Sequence, residues 1–170
     1  KNNNEFDTFN LKQIYDSNKK SFNVVGKVDL TNSQINISKL NYTKDVGKES
    51  EIDFNFTFIP KEYIDITKFI FGSGKTIIDI KNLKLNKNFE TEDFKELKIK
   101  TFNNGSKNND LLVKKSKKVV ISGNIFDAEP LLKSLFKKDD RRTFSKKFTS
   151  EIKINFNKTI TGTNDDVANF

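Results

Sequence analysis

Apolar and polar residues alternate along much of the chain, most regularly over residues 49–59. Ile52, Phe54, Phe56 and Phe58 occupy every second position of this segment, and the residues between them are polar. A period of two is typical of a β-strand with one apolar face and one solvated face. The pattern therefore predicts a strand that buries one face only.

The same alternation recurs in several other segments and predicts further strands. Its phase changes after Ile37 and again after Ile80, and a phase change inside a strand is most simply a β-bulge. Gly26 lies inside an early strand and indicates either a bulge or the close approach of a neighbouring backbone. About eight strands, mostly joined by short turns, predict a mainly antiparallel sheet.

One segment has the pattern of a helix. Asp127 can accept the amide protons of a first turn, and Pro130 is tolerated within that turn. Leu131, Leu132 and Leu135 then continue as one apolar stripe. We therefore predict an accessory helix over residues 126–137, packed on the sheet.

Weaker helical patterns occur at three other places. Residues 9–15, 61–71 and 91–96 each have spacings that are compatible with a short helix or a single helical turn. The β-branched residues of the second segment weaken that interpretation. We expect one or two of these turns to form.

The composition argues against most catalytic sites. The chain has 170 residues with no His and no Cys, which excludes a histidine base, a disulfide framework and the usual zinc ligands. Residues 72–76 resemble the end of a phosphate-binding loop, but Phe69 stands where that loop requires Gly, and a strand pattern follows. We interpret these residues as a turn. We expect no catalytic residue, no metal and no cofactor.

The net charge of +8 leaves three interpretations of the lysines open. Basic residues cluster at 114–118 and 141–147. They either lie in solvated loops, or contact anionic lipid headgroups, or contact nucleic acid. The polar positions of the strands mix acidic, neutral and basic residues, as at Glu51 and Asn55. This mixture argues against a nucleic-acid-binding face.

Residues 120–133 carry a family resemblance. They read Val-Ile-Ser-Gly-Asn-Ile-Phe-Asp-Ala-Glu-Pro-Leu-Leu-Lys, and this segment resembles one found in AsmA-like envelope proteins of the YhdP and TamB type. The resemblance implies that Gly123 ends a strand and that Asp127 caps a helix. It further implies that this helix is seated on the sheet by Pro130, Leu131 and Leu132.

The resemblance also implies a fold and a function. AsmA-like proteins are similar to bridge-like carriers of phospholipid, with a long curved antiparallel sheet that forms an open apolar trough. Their N-terminal helix anchors them in the inner membrane, and the trough lies in the periplasm. We interpret residues 1–170 as a single β-rich section of such a longer protein. Its expected partners are phospholipid acyl chains, neighbouring sections of the same chain and an anionic membrane surface.

An apolar trough needs no catalyst, because each buried methylene of an acyl chain contributes roughly 0.8 kcal/mol. The alternative is a closed core beneath the helix, which would fit a structural or adhesive envelope module; a nucleic-acid-binding β domain ranks below both. The residues expected to line a trough are Phe22, Val24, Val28, Ile35, Ile37, Ile52, Phe54, Phe56, Phe58, Ile78, Ile80, Ile152, Ile154 and Phe156.

Overall fold

A computed structural model describes residues 6–135, 150–162 and 166–168. These residues form thirteen strands, one 3-10 turn (Ser38–Leu40) and one short helix, α1 (Glu129–Leu135), which confirms the predicted mainly β fold. The strands are β1 (Phe9–Asp16), β2 (Ser21–Asp29), β3 (Ile35–Ile37), β4 (Tyr42–Lys44), β5 (Glu51–Ile59), β6 (Tyr63–Ser73), β7 (Thr76–Asn86), β8 (Thr91–Asp93), β9 (Glu96–Asn103), β10 (Ser106–Lys115), β11 (Val119–Asp127), β12 (Ile152–Ile160) and β13 (Asp166–Ala168).

The main sheet is long, curved and open. Its order is β1-β2-β5-β6-β7-β9-β10-β11-β12-β13, and β8 pairs with β7 beside this path. Neighbouring strands are antiparallel except β11 and β12, which run parallel. Parallel neighbours need a crossover connection, and α1 lies within it. The predicted antiparallel sheet is thus confirmed, with one parallel pair that the pattern does not predict.

The strand register gathers apolar residues on one side, which we call the apolar face. Residues directly opposite each other on paired strands point to the same side, so each register position extends into a row across the sheet. Two long rows cross most of the sheet, and two shorter rows cross β2, β5, β6 and β7. The rows are Val28, Ile52, Phe71, Ile78, Ile99, Leu111 and Phe156; Phe54, Phe69, Ile80, Leu97, Val113, Ile121 and Ile154; Val24, Phe56, Ile66 and Leu83; and Phe22, Phe58, Ile64 and Leu85.

The opposite side of the sheet carries cross-strand ion pairs. The Lys68 ammonium lies 2.7 Å from the Asp53 carboxylate, and the Lys81 ammonium lies 2.9 Å from that of Glu96. The hydrogen bond from Lys81 lowers the pKa of Glu96 below its ordinary value. Such half-exposed pairs contribute little stability each, but opposite charges on facing strands favour this register over a slipped one.

Residues 30–50 leave the main sheet and fold over the apolar face; we call them the cap. Within the cap β3 and β4 pair antiparallel, and the chain reverses through the 3-10 turn and Asn41, whose φ is 48°. The predicted bulge after Ile37 is therefore wrong. Asn tolerates the left-handed backbone, so the phase change marks a chain reversal.

The second predicted phase change lies inside β7. Asn82 has a φ of 52°, and Leu83 and Leu85 then continue on the apolar face begun by Ile78 and Ile80. The register of β6 with β5 shifts beside residue 55, so both strands adjust their phase in the same region. The apolar face therefore continues to the far end of these strands.

No helical turn forms at the three predicted places; the 3-10 turn of the described residues lies in the cap instead. Residues 9–15 lie in β1, residues 63–71 lie in β6, and residues 91–93 form β8. In β6 the β-branched residues Ile64 and Ile66 fit the pleated surface, and pairing with β5 and β7 on both sides overrides a weak local helical spacing.

The boundaries near α1 also differ from prediction. Strand β11 continues through Gly123 to Asp127, and α1 begins at Glu129, so neither the implied strand end nor the helix start at residue 126 is correct. Residues 136 and 137 lie outside the described residues. Gly123 is mid-strand, beside the point where β10 shifts its register between Asp110 and Leu111.

Two glycines permit close backbone contacts. A Cβ at Gly123 would clash with the Asp110 carbonyl oxygen and lie 2.8 Å from the Leu111 Cα. A Cβ at Gly26 would lie 2.7 Å from the Asn10 carbonyl oxygen, so the close approach predicted there is confirmed. Both sites need a residue without a side chain.

We expect Gly123→Ala to lower the free energy of unfolding by about 1–3 kcal/mol, because the new methyl group must displace the β10 backbone. Urea denaturation followed by circular dichroism measures the change. Gly72→Ala is the matched control, since a Cβ there meets no atom within 4 Å. Equal stabilities of the two variants would contradict the close contact.

Candidate functional site

The cap divides the apolar face into a covered part and an open part. Tyr42 of the cap is 4% exposed and packs edge-on against Phe71, with ring centroids 6.0 Å apart. The same cluster contains Ile78, Ile99, Leu111 and Phe156, and the cap residues packed against it are Ile35, Ile37 and Leu40. The row that contains Phe71, Ile78 and Phe156 is therefore a conventional hydrophobic core.

The open part, which we call the open patch, lies towards the other end of the same strands. Its residues are all half-buried and are neither in the core cluster nor packed against it. Phe54 and Phe56 stack at 5.6 Å, and Phe22 and Phe58 at 6.5 Å between ring centroids. The open patch consists of Phe22, Val24, Phe54, Phe56, Phe58, Ile64, Ile66, Leu83 and Leu85.

The size of the open patch follows from strand geometry. Phe54 and Phe58 are four residues apart on β5, or about 13 Å along the strand. Three interstrand steps separate β2 from β7, or about 14 Å across the sheet. The patch is thus an apolar surface bounded at one end by the cap and continuing to the strand ends at the other.

A buried polar network fixes the cap to the sheet. The Asn109 side chain is fully buried, and its Nδ2 donates to the Leu40 carbonyl oxygen at 2.9 Å and to the Thr101 Oγ1 at 3.0 Å. The Asn108 Nδ2 donates to the carbonyl oxygens of Leu40 and Asn41, each at 3.0 Å. Buried amides of this kind fix one orientation, because any other leaves polar groups unpaired.

The start of α1 belongs to the same network. The Asp127 N–H donates to the Asn109 Oδ1 at 3.0 Å, and the Asp127 Oδ2 accepts from the Asn41 Nδ2 at 2.9 Å. Its Oδ1 accepts from the Glu129 N–H at 3.2 Å, as expected for a residue that caps a helix.

The helix itself lies against the 3-10 turn of the cap. Pro130 and Leu132 are half-buried, but the element that α1 contacts most is the 3-10 turn of the cap, whereas the prediction places the helix on the main sheet. Leu131 is 52% exposed, so it contributes less to this seating than the resemblance implies.

Lys44 closes the base of the cap. Its side chain is fully buried, and its Nζ donates to the carbonyl oxygens of Leu30, Thr31 and Lys48 at 2.6, 3.1 and 3.1 Å. The alternation of polar and apolar residues assigns a lysine to the solvated side of a strand. The sequence pattern therefore does not predict that Lys44 is buried against these carbonyl groups.

The surroundings of Lys44 change its acidity. Burial lowers the pKa of the Lys44 ammonium, and the charges of Asp7, Asp29 and Asp45 offset part of that effect. A buried ammonium with a lowered pKa makes the stability of the cap depend on pH.

The fourteen residues predicted to line a trough fall into four places. Phe22, Val24, Phe54, Phe56 and Phe58 lie in the open patch. Ile35 and Ile37 belong to the cap. Ile152 and Ile154 are 57% and 53% exposed on β12. The remaining residues are Ile52, Ile78, Ile80 and Phe156, which lie in or against the covered core, and Val28, which lies opposite Ile52 in the same row.

Four residues of the open patch are absent from the predicted set. Ile64 and Ile66 come from β6, which the sequence leaves ambiguous between helix and strand. Leu83 and Leu85 follow the phase change in β7, so alternation does not assign them to the same face. The alternation of Ile64 and Ile66 is the pattern from which the first pair could have been predicted. The second pair is missed because the left-handed backbone of Asn82 changes the phase of β7.

The predicted basic cluster at residues 114–118 is partly neutralised. Three of its lysines pair with carboxylates, and the pairs are Lys114 with Glu96, Lys115 with Asp93 and Lys118 with Glu151. Residues 141–147 lie outside the described residues. The paired charges are consistent with the argument against a nucleic-acid-binding face.

Residues 72–76 include the turn between β6 and β7, as predicted. Four of them, with Tyr42, Glu49 and Phe102, help to line a cavity of about 780 Å³ at the cap end of the sheet. No open-patch residue lines this cavity. The cavity and the patch are therefore separate features.

Over the described ranges, no group of three or more acidic side chains is placed to hold a metal ion. No helix in the described part of the chain is long and apolar enough to cross a bilayer. The feature with the clearest binding chemistry is the open patch, which suits an apolar ligand.

In comparisons with known proteins, no family model, no curated protein and no solved structure matches the chain.

We expect Lys44→Met to destabilise the protein by about 1–3 kcal/mol, because buried carbonyl oxygens lose their donor. The difference from the wild type should widen as the pH rises towards 10.5, the ordinary pKa of lysine. Because the pKa of Lys44 is lowered, the folded protein binds fewer protons than the unfolded chain in this range, so deprotonation stabilises the wild type only.

Urea denaturation at pH 7 and pH 10 measures both effects. Lys48→Met is the control, because the Lys48 side chain is 62% exposed and the substitution keeps the backbone oxygen that accepts from Lys44. A constant difference between wild type and Lys44→Met at the two pH values would contradict the lowered pKa.

Proposed function

We propose that this chain is a section of a periplasmic AsmA-like protein whose open patch holds phospholipid acyl chains on their way between the inner and outer membranes. The single observation that carries the proposal is the open patch. It is a half-buried apolar surface, built from four adjacent strands and lying outside the core that the cap covers.

The chemistry of the patch favours an acyl chain over a specific polar ligand. Its nine residues carry no hydrogen-bonding side chain, so they gain from burial and discriminate little. The patch measures about 13 by 14 Å, and one leaflet of a bilayer has a hydrocarbon thickness of about 15 Å. An acyl chain lying along the strands therefore fits it.

The cap gives the bound chain a direction. Tyr42 and Phe71 close the apolar face beneath the cap, so an acyl chain has its methyl end there. The headgroup then lies at the other end of β2, β5, β6 and β7, where it remains in water. In this proposal the patch is a groove that is closed at one end.

The envelope location rests on the resemblance of residues 120–133 to AsmA-like proteins. In the proposal the parent protein is tethered to the inner membrane by another segment, and neighbouring sections continue the sheet at its edges. Strand β1 offers an edge for such pairing, since β2 is its one partner among the described strands. The proposed section carries out no reaction, needs no cofactor and binds no nucleic acid.

A structural or adhesive envelope module is the second candidate. The exposed strand β1 favours it, because Phe9 and Tyr15 are 73% and 54% exposed beside the sheet edge. An edge of this kind suits strand pairing with another protein. In that case the apolar face would serve the fold alone, and no lipid would be retained.

Native mass spectrometry of the protein purified without detergent, followed by lipid extraction, tests the proposal. We expect phospholipid at a defined stoichiometry in the wild type and its loss in Phe56→Asp, which places a carboxylate in the open patch. Asn55→Asp is the matched control, because Asn55 is the preceding residue, lies on the polar side and faces Lys68.

Circular dichroism shows whether each variant is folded. Lipid in the wild type and in Asn55→Asp, with none in folded Phe56→Asp, supports the acyl-chain site. A folded wild type without lipid, also after incubation with phospholipid vesicles, overturns the proposal and favours the structural module.

A further inference from the structure

The two ends of the main sheet differ in charge. At the end away from the cap, which we call the open end, the turns at residues 17–20, 60–62, 87–90 and 116–118 contain six lysines and two glutamates. At the cap end, the turns at residues 45–50, 74–75 and 104–105 contain two lysines and two acidic residues. The positive charge of these turns is therefore concentrated at the open end.

The two ends also differ in which residues adopt a left-handed backbone. In the turns at the open end these are Lys20, Lys61 and Phe89, with φ values of 49°, 64° and 60°. A positive φ is unfavourable for long or bulky side chains, so stability alone would favour Gly or Asn there. The turns at the cap end do carry those residue types at positive φ, namely Gly47, Gly74, Asn104 and Gly105.

The turn that carries Phe89 is firmly braced. The Asn86 Oδ1 accepts from the N–H groups of Asn88 and Glu90 at 2.9 and 3.0 Å, and its Nδ2 donates to the Glu90 Oε2 at 2.8 Å. The Phe89 N–H donates to the Asn86 carbonyl oxygen at 2.9 Å. The Phe89 side chain is nevertheless 71% exposed. The turn thus holds an aromatic ring out in water, at the end of the sheet that carries the lysines.

We infer that the open end docks on an anionic phospholipid bilayer, with Phe89 inserted at the interface and the lysines of the turns against the headgroups. An exposed aromatic ring among ammonium groups matches the interfacial region, which is apolar on one side and anionic on the other. An acidic protein would attract the lysines but would leave the isolated ring unexplained. Docking does not depend on acyl chains in the open patch, so it goes beyond the proposed function.

A single tryptophan tests the insertion of Phe89. The chain has no Trp, so Phe89→Trp creates one fluorophore at the open end. Phe9→Trp is the matched control, because Phe9 is 73% exposed and lies towards the cap end of β1.

Both variants are mixed with vesicles of phosphatidylcholine and phosphatidylglycerol. We expect the emission of the Phe89→Trp variant to shift to the blue and to be quenched by brominated acyl chains. The emission of the Phe9→Trp variant should stay that of an indole in water.

The contributions of charge and ring are measured by vesicle co-sedimentation of the full chain at low salt. Lys61→Gln and Lys87→Gln should each weaken partitioning by about fivefold, since one lysine near an anionic surface contributes about 1 kcal/mol. Lys75→Gln at the cap end should have no effect. Phe89→Asn should weaken partitioning several-fold and raise the melting temperature, because Asn tolerates the left-handed backbone.

Weaker binding together with higher stability in Phe89→Asn separates a docking role from a structural one. Binding of the wild type to anionic but not to neutral vesicles, weakened in the open-end variants alone, supports the inference. It is overturned if the wild type does not bind anionic vesicles, or if Lys75→Gln weakens binding as much as Lys61→Gln does. Unshifted emission of vesicle-bound Phe89→Trp overturns it as well, because the ring would then not be inserted.

Discussion

The register of the main sheet is the constraint on which the rest of the molecule depends. Side chains alternate between the two sides with a period of two, so a slip of one residue would move Phe54, Phe56 and Phe58 to the polar side. The rows of apolar residues across the strands oppose such a slip, and so does the Lys68–Asp53 pair on the other side. Core and open patch share this register, and for this reason the strands that order the core also order the patch.

A sheet with one apolar face must either cover that face or bind a partner with it, because large exposed apolar patches are rare on soluble domains. The cap covers only part of this face. Apolar contacts alone would allow the cap to settle at several places along the rows, but its carbonyl groups at Leu40 and Asn41 must meet the buried amides of Asn108 and Asn109. Those amides lie near the start of β10, at the cap end. Their position therefore decides which part of the face becomes core and which part stays open.

The sequence predicts features that depend on neighbours along the chain and misses those that depend on distant partners. Alternation alone places Phe22 and Phe54 on one face. It fails for the cap, because the reversal at Asn41 has the same pattern as a bulge. It also fails for Lys44 and Asn109, which look like ordinary polar residues in the sequence. Lys44 is buried because its ammonium donates to the carbonyl groups of residues 30, 31 and 48, and Asn109 because its amide donates to that of residue 40. The implied strand end at residue 123 fails for a similar reason, since the need for Gly there comes from β10.

The difference between the two ends of the sheet gives the proposed groove a physical direction. Exposing an acyl chain to water costs roughly 0.8 kcal/mol per methylene, or about 13 kcal/mol for a chain of about sixteen. A groove whose mouth opens into water must work against this cost, whereas a groove whose mouth lies on a bilayer exchanges one apolar environment for another. The cap closes the end that carries Gly and Asn in its turns, and the lysines and Phe89 lie at the end that stays open. If the open end docks on a membrane, an acyl chain can enter the open patch without being exposed to water. The two proposals are nevertheless independent, because either one can fail without the other.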